Sequence, residues 1–116
     1  MKTLIIEPDT FQRKGLKTAL SGICSIDQTF SVSGAIELLS NNSYDIIITE
    51  VQFKTEDGSQ ILDTLLTHGA KSLTIISSAS LTPEIREIVE KLDYTFLEKP
   101  IDINQLIKII HQSKET

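Results

Sequence analysis

The chain has 116 residues, 40% hydrophobic and 23% charged, with a formal net charge of −5. That length fits one domain with a single core, and the composition excludes the disordered and fibrous classes. The acidic balance argues against a nucleic-acid groove, which needs clustered lysine and arginine.

Leu4-Ile5-Ile6 reads as a short buried strand stopped by Pro8. Asp9 and Gln12 have capping-box spacing and open a helix to about Leu20, with Phe11, Leu16, Ala19 and Leu20 at helical spacing and Gly22 ending it. Ile26 to Phe30 reads as a weaker outer strand, because Asp27 and Gln28 interrupt it. Ala35, Ile36, Leu38 and Leu39 mark a second helix that breaks at Asn41-Asn42. Ile46-Ile47-Ile48 is the clearest central strand, three β-branched residues in succession.

Asp57 and Gln60 form a second capping box before a helix carrying Ile61, Leu62, Leu65 and Leu66, which Gly69 terminates. His68 falls at the C-terminus of that helix. Leu73 to Ile76 is a fourth strand running into Ser77-Ser78-Ala79-Ser80. Thr82 caps a fourth helix with Pro83 at its first position, extending through Leu92. Tyr94 to Leu97 is the fifth strand, and Asp102 with Gln105 caps a last helix built on Leu106, Ile107, Ile109 and Ile110. Five alternations of strand and helix imply βαβ units and a mainly parallel sheet covered on both faces.

The remaining special residues read quietly. The lone Cys24 excludes an internal disulfide, and with only His68 and His111 beside it there is no zinc framework. Cys24 is expected to be a small buried hydrophobe. Arg13, Lys14 and Lys17 lie at helical spacing and read as a solvated face. The N-terminal apolar run is too short for a signal peptide, and no segment reaches membrane-spanning length, so a cytoplasmic location is expected.

In a doubly wound sheet the C-terminal strand ends share one edge, where ligands bind. This chain places Glu7, Glu50, Ser78 and Lys99 there, after strands one, three, four and five. Each alone is a common strand-end residue. Together, two carboxylates, a hydroxyl and an ammonium on one edge form a candidate site.

The order of these residues resembles the receiver domain of two-component response regulators. The motifs that carry the resemblance are Tyr44-Asp45-Ile46-Ile47-Ile48-Thr49-Glu50-Val51, Asp57-Gly58, Ile75-Ile76-Ser77-Ser78-Ala79 and Phe96-Leu97-Glu98-Lys99-Pro100. Ala35-Ile36-Glu37-Leu38-Leu39, running on to Tyr44-Asp45, has the same family's spacing. The resemblance covers residues 1–116 as one receiver-like domain. It implies a flavodoxin-like (β/α)5 fold with strand order 2-1-3-4-5. It also implies a phosphorylation switch. An aspartate after strand three accepts a phosphoryl group with a divalent metal held by acidic residues after strand one. The strand-four hydroxyl and strand-five lysine then engage the phosphoryl group, an aromatic residue on strand five turns inward, and the surface of helix four, strand five and helix five changes partners.

Carried over by position, Ser78 matches the switch hydroxyl, Lys99 the lysine, Phe96 the aromatic residue and Glu7 the first acidic position. The second acidic position falls on Pro8 and the phosphoacceptor on Glu50. Proline offers no ligand, so Mg2+ binding is doubtful and no resident cofactor is expected. The extra methylene of glutamate moves its carboxylate by ~1.5 Å, and misplacements near 1 Å can cost on the order of 100-fold in rate. Asp9 reads as a helix cap rather than a replacement ligand.

The expected function is therefore that of an atypical receiver, a signalling module rather than an enzyme, which works by protein contact without aspartate phosphorylation. Two readings of Glu50 stay open: a built-in phosphomimic that pairs with Lys99 and accepts from Ser78, or an inert remnant of the charge cluster. The expected partner surface, for another protein or a second copy, includes Ile85, Ile88, Tyr94, Ile107 and His111. The resemblance leaves room for a DNA-binding output domain beyond this chain. Nothing in this domain is expected to contact nucleic acid or membrane. The alternative functions are a working metal-dependent phosphoacceptor and, more weakly, a flavin binder, which the absence of tryptophan and of a glycine-rich loop after strand one disfavours.

Overall fold

Runs of β-branched residues become central strands when helices cover both of their faces. A computed structural model of the chain describes residues 1–53, 59–68 and 71–114. Its strands are β1 (Lys2–Ile6), β2 (Ser25–Thr29), β3 (Ile46–Thr49), β4 (Leu73–Ser78) and β5 (Thr95–Glu98). The helices between and after them are α1 (Thr10–Leu20), α2 (Val32–Asn41), α3 (Ser59–His68), α4 (Pro83–Lys91) and α5 (Ile103–Lys114). All four strand pairings are parallel, and the order is β2-β1-β3-β4-β5, as the resemblance implies. The winding reverses beside β1, so the crevice outside β1 and β3 is the topological switch point.

The period-two alternation of strand side chains divides the core in two. Leu4, Ile6, Ile47 and Ile76 face Val32, Ala35 and Leu39 of α2, Ile61, Leu62 and Leu65 of α3 and Val89 of α4. Ile5, Ile46, Ile48, Ile75 and Leu97 face Leu16 and Leu20 of α1 and Leu106 and Ile110 of α5. Burying both faces of β3 leaves all four of its residues out of water. That is why its sequence reads as an unbroken apolar run.

Helix starts follow the capping signals. Asp9 Oδ1 accepts from Gln12 N (2.9 Å), Thr82 Oγ1 from Ile85 N (3.2 Å) and Asp102 Oδ1 from Gln105 N (3.2 Å). The reciprocal half of the first capping box is replaced, because the Asp9 N–H donates to Glu7 Oε2 at 3.0 Å. The second capping box at Asp57 and the terminator Gly69 lie outside the described residues.

Several boundaries differ from the sequence reading. α1 ends at Leu20 as expected, but its C-cap is Ser21 and not Gly22. β2 pairs one residue earlier than expected, with Ser25 opposite Lys2, which leaves Phe30 outside the strand. β4 extends to Ser78 because β5 pairs with its last four residues, and β5 itself runs one residue later than Tyr94–Leu97. α4 stops at Lys91 with Leu92 as its cap. Cys24 is half-buried against the second core rather than enclosed in it.

Candidate functional site

The sheet's hydrogen-bond ladder continues one residue beyond its strands, and that continuation positions the site. Glu7 N donates to Thr29 O (3.0 Å), Glu50 N to Ile6 O (2.9 Å) and Lys99 N to Ser78 O (2.9 Å). Three side chains from distant parts of the chain are thus fixed at one edge by backbone.

They meet there. Lys99 Nζ lies 2.5 Å from Glu7 Oε1 and 2.7 Å from Glu50 Oε1. Glu7 is 3% exposed and Glu50 6%, so both charges need full pairing. They receive it. The second oxygen of Glu7 accepts from Asp9 N, and Glu50 Oε2 accepts from Val51 N (2.8 Å) and Gln52 N (3.0 Å). Burial pushes the Lys99 ammonium down, but the hydrogen bonds and charges of Glu50 and Glu7 outweigh it and hold its pKa above the ordinary lysine value.

Every oxygen of the Glu7 and Glu50 carboxylates therefore has a protein donor. A divalent cation takes about six or more oxygen ligands, supplied largely by carboxylates, and here the Lys99 ammonium already sits between Glu7 and Glu50. Pro8 contributes no side-chain oxygen, and its carbonyl accepts from Arg13 Nη1 at 3.4 Å. The described residues hold no cluster of three or more potential metal-ligating side chains. The residues present do not fit a divalent metal.

Ser78 is fully buried beside this site but does not bond to Glu50. Its Oγ donates to Ser80 O (3.0 Å), a carbonyl that also accepts from Gln52 Nε2 (2.9 Å). The expected hydrogen bond from Ser78 to Glu50 is absent from this structure, where the hydroxyl is turned into its own loop. Phe96 is half-buried and packs on the first core, on the helix α2–α4 side of the sheet.

A family model described as the response regulator receiver domain matches residues 3–111. The chain belongs to the response regulator receiver family. Solved structures agree with that assignment. The N-terminal domain of an uncharacterized protein from Wolinella succinogenes superposes with a TM-score of 0.89 at 26% identity, over 99% of this chain and 94% of that one. A Francisella response regulator receiver domain gives 0.83 at 24% identity, over 98% and 96%. A two-component response regulator from Clostridium difficile gives 0.86 at 20% identity, over 99% and 96%. At the two lower identities the likeness is one of fold. No curated protein sequence matches. Receiver domains of this family are regulatory modules of signalling proteins.

The residues expected to form a partner surface are unequally exposed. Ile88 is 37% exposed and His111 is exposed, whereas Ile85 and Tyr94 are half-buried against the first core and Ile107 against the second. Ile103 and Ile109 also pack partly on the second core, so α5 has less spare apolar surface than its sequence implies. No helix among the described residues is long and apolar enough to cross a membrane.

Two groups at the receiver edge escaped the sequence reading. Gln52 had no signal beyond its place two residues after Glu50. Phe11, Phe30 and Phe53 line one crevice together with Glu7, Glu50 and Lys99. Their meeting depends on the directions of three loops, which no local pattern encodes.

Proposed function

We propose that this receiver domain is a pseudo-receiver, which signals by protein contact and does not depend on phosphorylation at the acceptor position. The observation that carries the reading is the Lys99 ammonium held between Glu7 and Glu50, with every oxygen of both carboxylates engaged. In the family's switch this lysine answers to the phosphoryl group. Here Glu50 supplies its anion permanently. Phosphoryl transfer relies on positioning and on metal charge, and this edge offers a glutamate in place of the aspartate and a proline in place of a ligand.

The phosphomimic reading divides at this site. Glu50 takes the lysine half of the switch, and a carboxylate brings one charge against roughly −1.5 to −2 for a phosphoryl group. The hydroxyl half is not engaged, since Ser78 bonds to Ser80. Glu50 is thus best read as a fixed counter-ion that fills the socket. The contact surface in this reading is α4, β5 and α5, with Ile88 and His111 as its accessible members and a protein partner or second copy as its occupant.

The test is a pair of amide NMR spectra, recorded without and with a small phosphodonor and Mg2+. The spectra should superimpose at Glu50, Ser78, Phe96 and Lys99. A new set of resonances at those residues would overturn the proposal.

A further inference from the structure

Three of the four phenylalanines in the chain, Phe11, Phe30 and Phe53, line a single crevice of about 650 Å³ above the Glu7–Lys99–Glu50 cluster. Phe11 is 90% exposed and Phe30 64%, the two largest values among the exposed large hydrophobic residues. Rings held in water at one place mark a surface that something covers. The crevice lining carries three carboxylates, Glu7, Asp9 and Glu50, and one ammonium, Lys99, a net charge of −2 (−3 + 1). Aromatic faces and a negative lining both attract a cation and repel phosphate.

The same wall already shows the preference within the molecule. The Arg13 guanidinium lies 5.7 Å from the Phe30 ring centroid while its Nη1 donates to Glu7 O at 2.8 Å. Among the described residues Phe11 has no such partner. Small-molecule sites enclose most of their ligand, whereas Phe11 and Phe30 line this crevice at its open rim and stay largely in water. An occupant that covers them must extend beyond the cavity, as a polypeptide does.

We infer that the crevice receives an arginine side chain of a partner polypeptide, with apolar neighbours of that arginine resting on Phe11 and Phe30. Guanidinium suits the place better than ammonium, because its planar, weakly hydrated group stacks on rings. This site is separate from the α4–β5–α5 surface and does not require that proposal to hold.

The test is an amide NMR titration of the whole chain with the peptide acetyl-Gly-Leu-Arg-Leu-Gly-amide. Shifts should centre on Phe11, Phe30, Gln52 and Phe53. The isosteric citrulline peptide and N-acetyl-argininamide should each bind roughly tenfold more weakly, since each lacks one of the two attractions. The Phe11→Ala/Phe30→Ala variant, altered only at exposed rings, should lose a similar factor while keeping the resonances of Glu50 and Lys99. Equal binding by the citrulline peptide would overturn the cation assignment, and equal binding by N-acetyl-argininamide the polypeptide source. Absence of shifts at the crevice, or unchanged affinity in the variant, would overturn the site.

Discussion

Gln52 and Ser78 share an acceptor: the amide of one and the hydroxyl of the other both donate to the Ser80 carbonyl, at 2.9 and 3.0 Å. The Gln52 backbone N–H also donates to Glu50 Oε2. One residue therefore links the acceptor-position carboxylate to the loop that holds the switch hydroxyl. Glu50 secures Gln52, and Gln52 helps keep the Ser80 carbonyl where Ser78 finds it.

Replacing Gln52 by alanine removes one exposed hydrogen bond, so stability should fall by about 1 kcal/mol or less. The local effect should be larger than the global one. Hydrogen exchange at residues 79–81 should quicken, while exchange in β1 and β3 stays unchanged. Equal protection of those loop amides in Gln52→Ala would remove Gln52 from this role.

Lys99→Met leaves Glu7 and Glu50 buried side by side without their ammonium. Truncating one member of a buried ionic cluster costs about 3–5 kcal/mol, mostly from the uncompensated charge. Denaturant unfolding should report a loss of that size. The combination Glu7→Gln/Glu50→Gln/Lys99→Met should recover most of it, because no buried charge then lacks a partner. If the triple variant is no more stable than Lys99→Met, the loss came from packing and not from electrostatics.

The raised Lys99 pKa makes an alkaline prediction. A group that binds its proton more tightly folded than unfolded contributes stability that is fully present below its unfolded pKa and is lost as pH rises through the folded one. That contribution should hold up to about the ordinary lysine value of 10.5 and disappear above it. Tyr44 acts in the same direction, since burial, the 2.7 Å hydrogen bond to Asp27 and the Asp27 charge raise its phenol. Stability measured from pH 8 to 12 should fall late, and Glu50→Gln should flatten the part of the fall due to Lys99. An unchanged profile in Glu50→Gln would contradict the pairing.

Much of the fold was legible because strand and helix periods are local. Ile46 to Ile48 announced a central strand, and Thr82-Pro83 and Asp102 announced helix starts, through chemistry within a few residues. The edge residues Glu7, Glu50 and Lys99 were legible for a related reason: alternation of elements alone puts them on one side of the sheet. What they do with one another was less so. The Lys99 pairing follows from charge and proximity, but Ser78 has a hydroxyl that rotates to the best nearby acceptor, and only loop geometry makes that Ser80 O. The shift of β2 and the exposure of Phe30 depend on pairing with β1, a partner more than 20 residues away in the chain.

Restoring the missing chemistry should restore the function. Glu50→Asp alone retracts the carboxylate by ~1.5 Å but still lacks the second acidic ligand, so it should take up little phosphoryl group. Glu50→Asp with Pro8→Asp supplies both, and should gain a phosphoryl group from a small phosphodonor in the presence of Mg2+. Failure of the double variant, folded and with Lys99 in place, would mean that these two positions are not what blocks the reaction.

The most direct measurement is the intact mass of the unaltered chain after incubation with a small phosphodonor and Mg2+. With Lys99 held between Glu7 and Glu50, the mass should be unchanged. Addition of one phosphoryl group, lost on Glu50→Ala, would contradict the reading of Glu50 as a permanent counter-ion and make it a working acceptor.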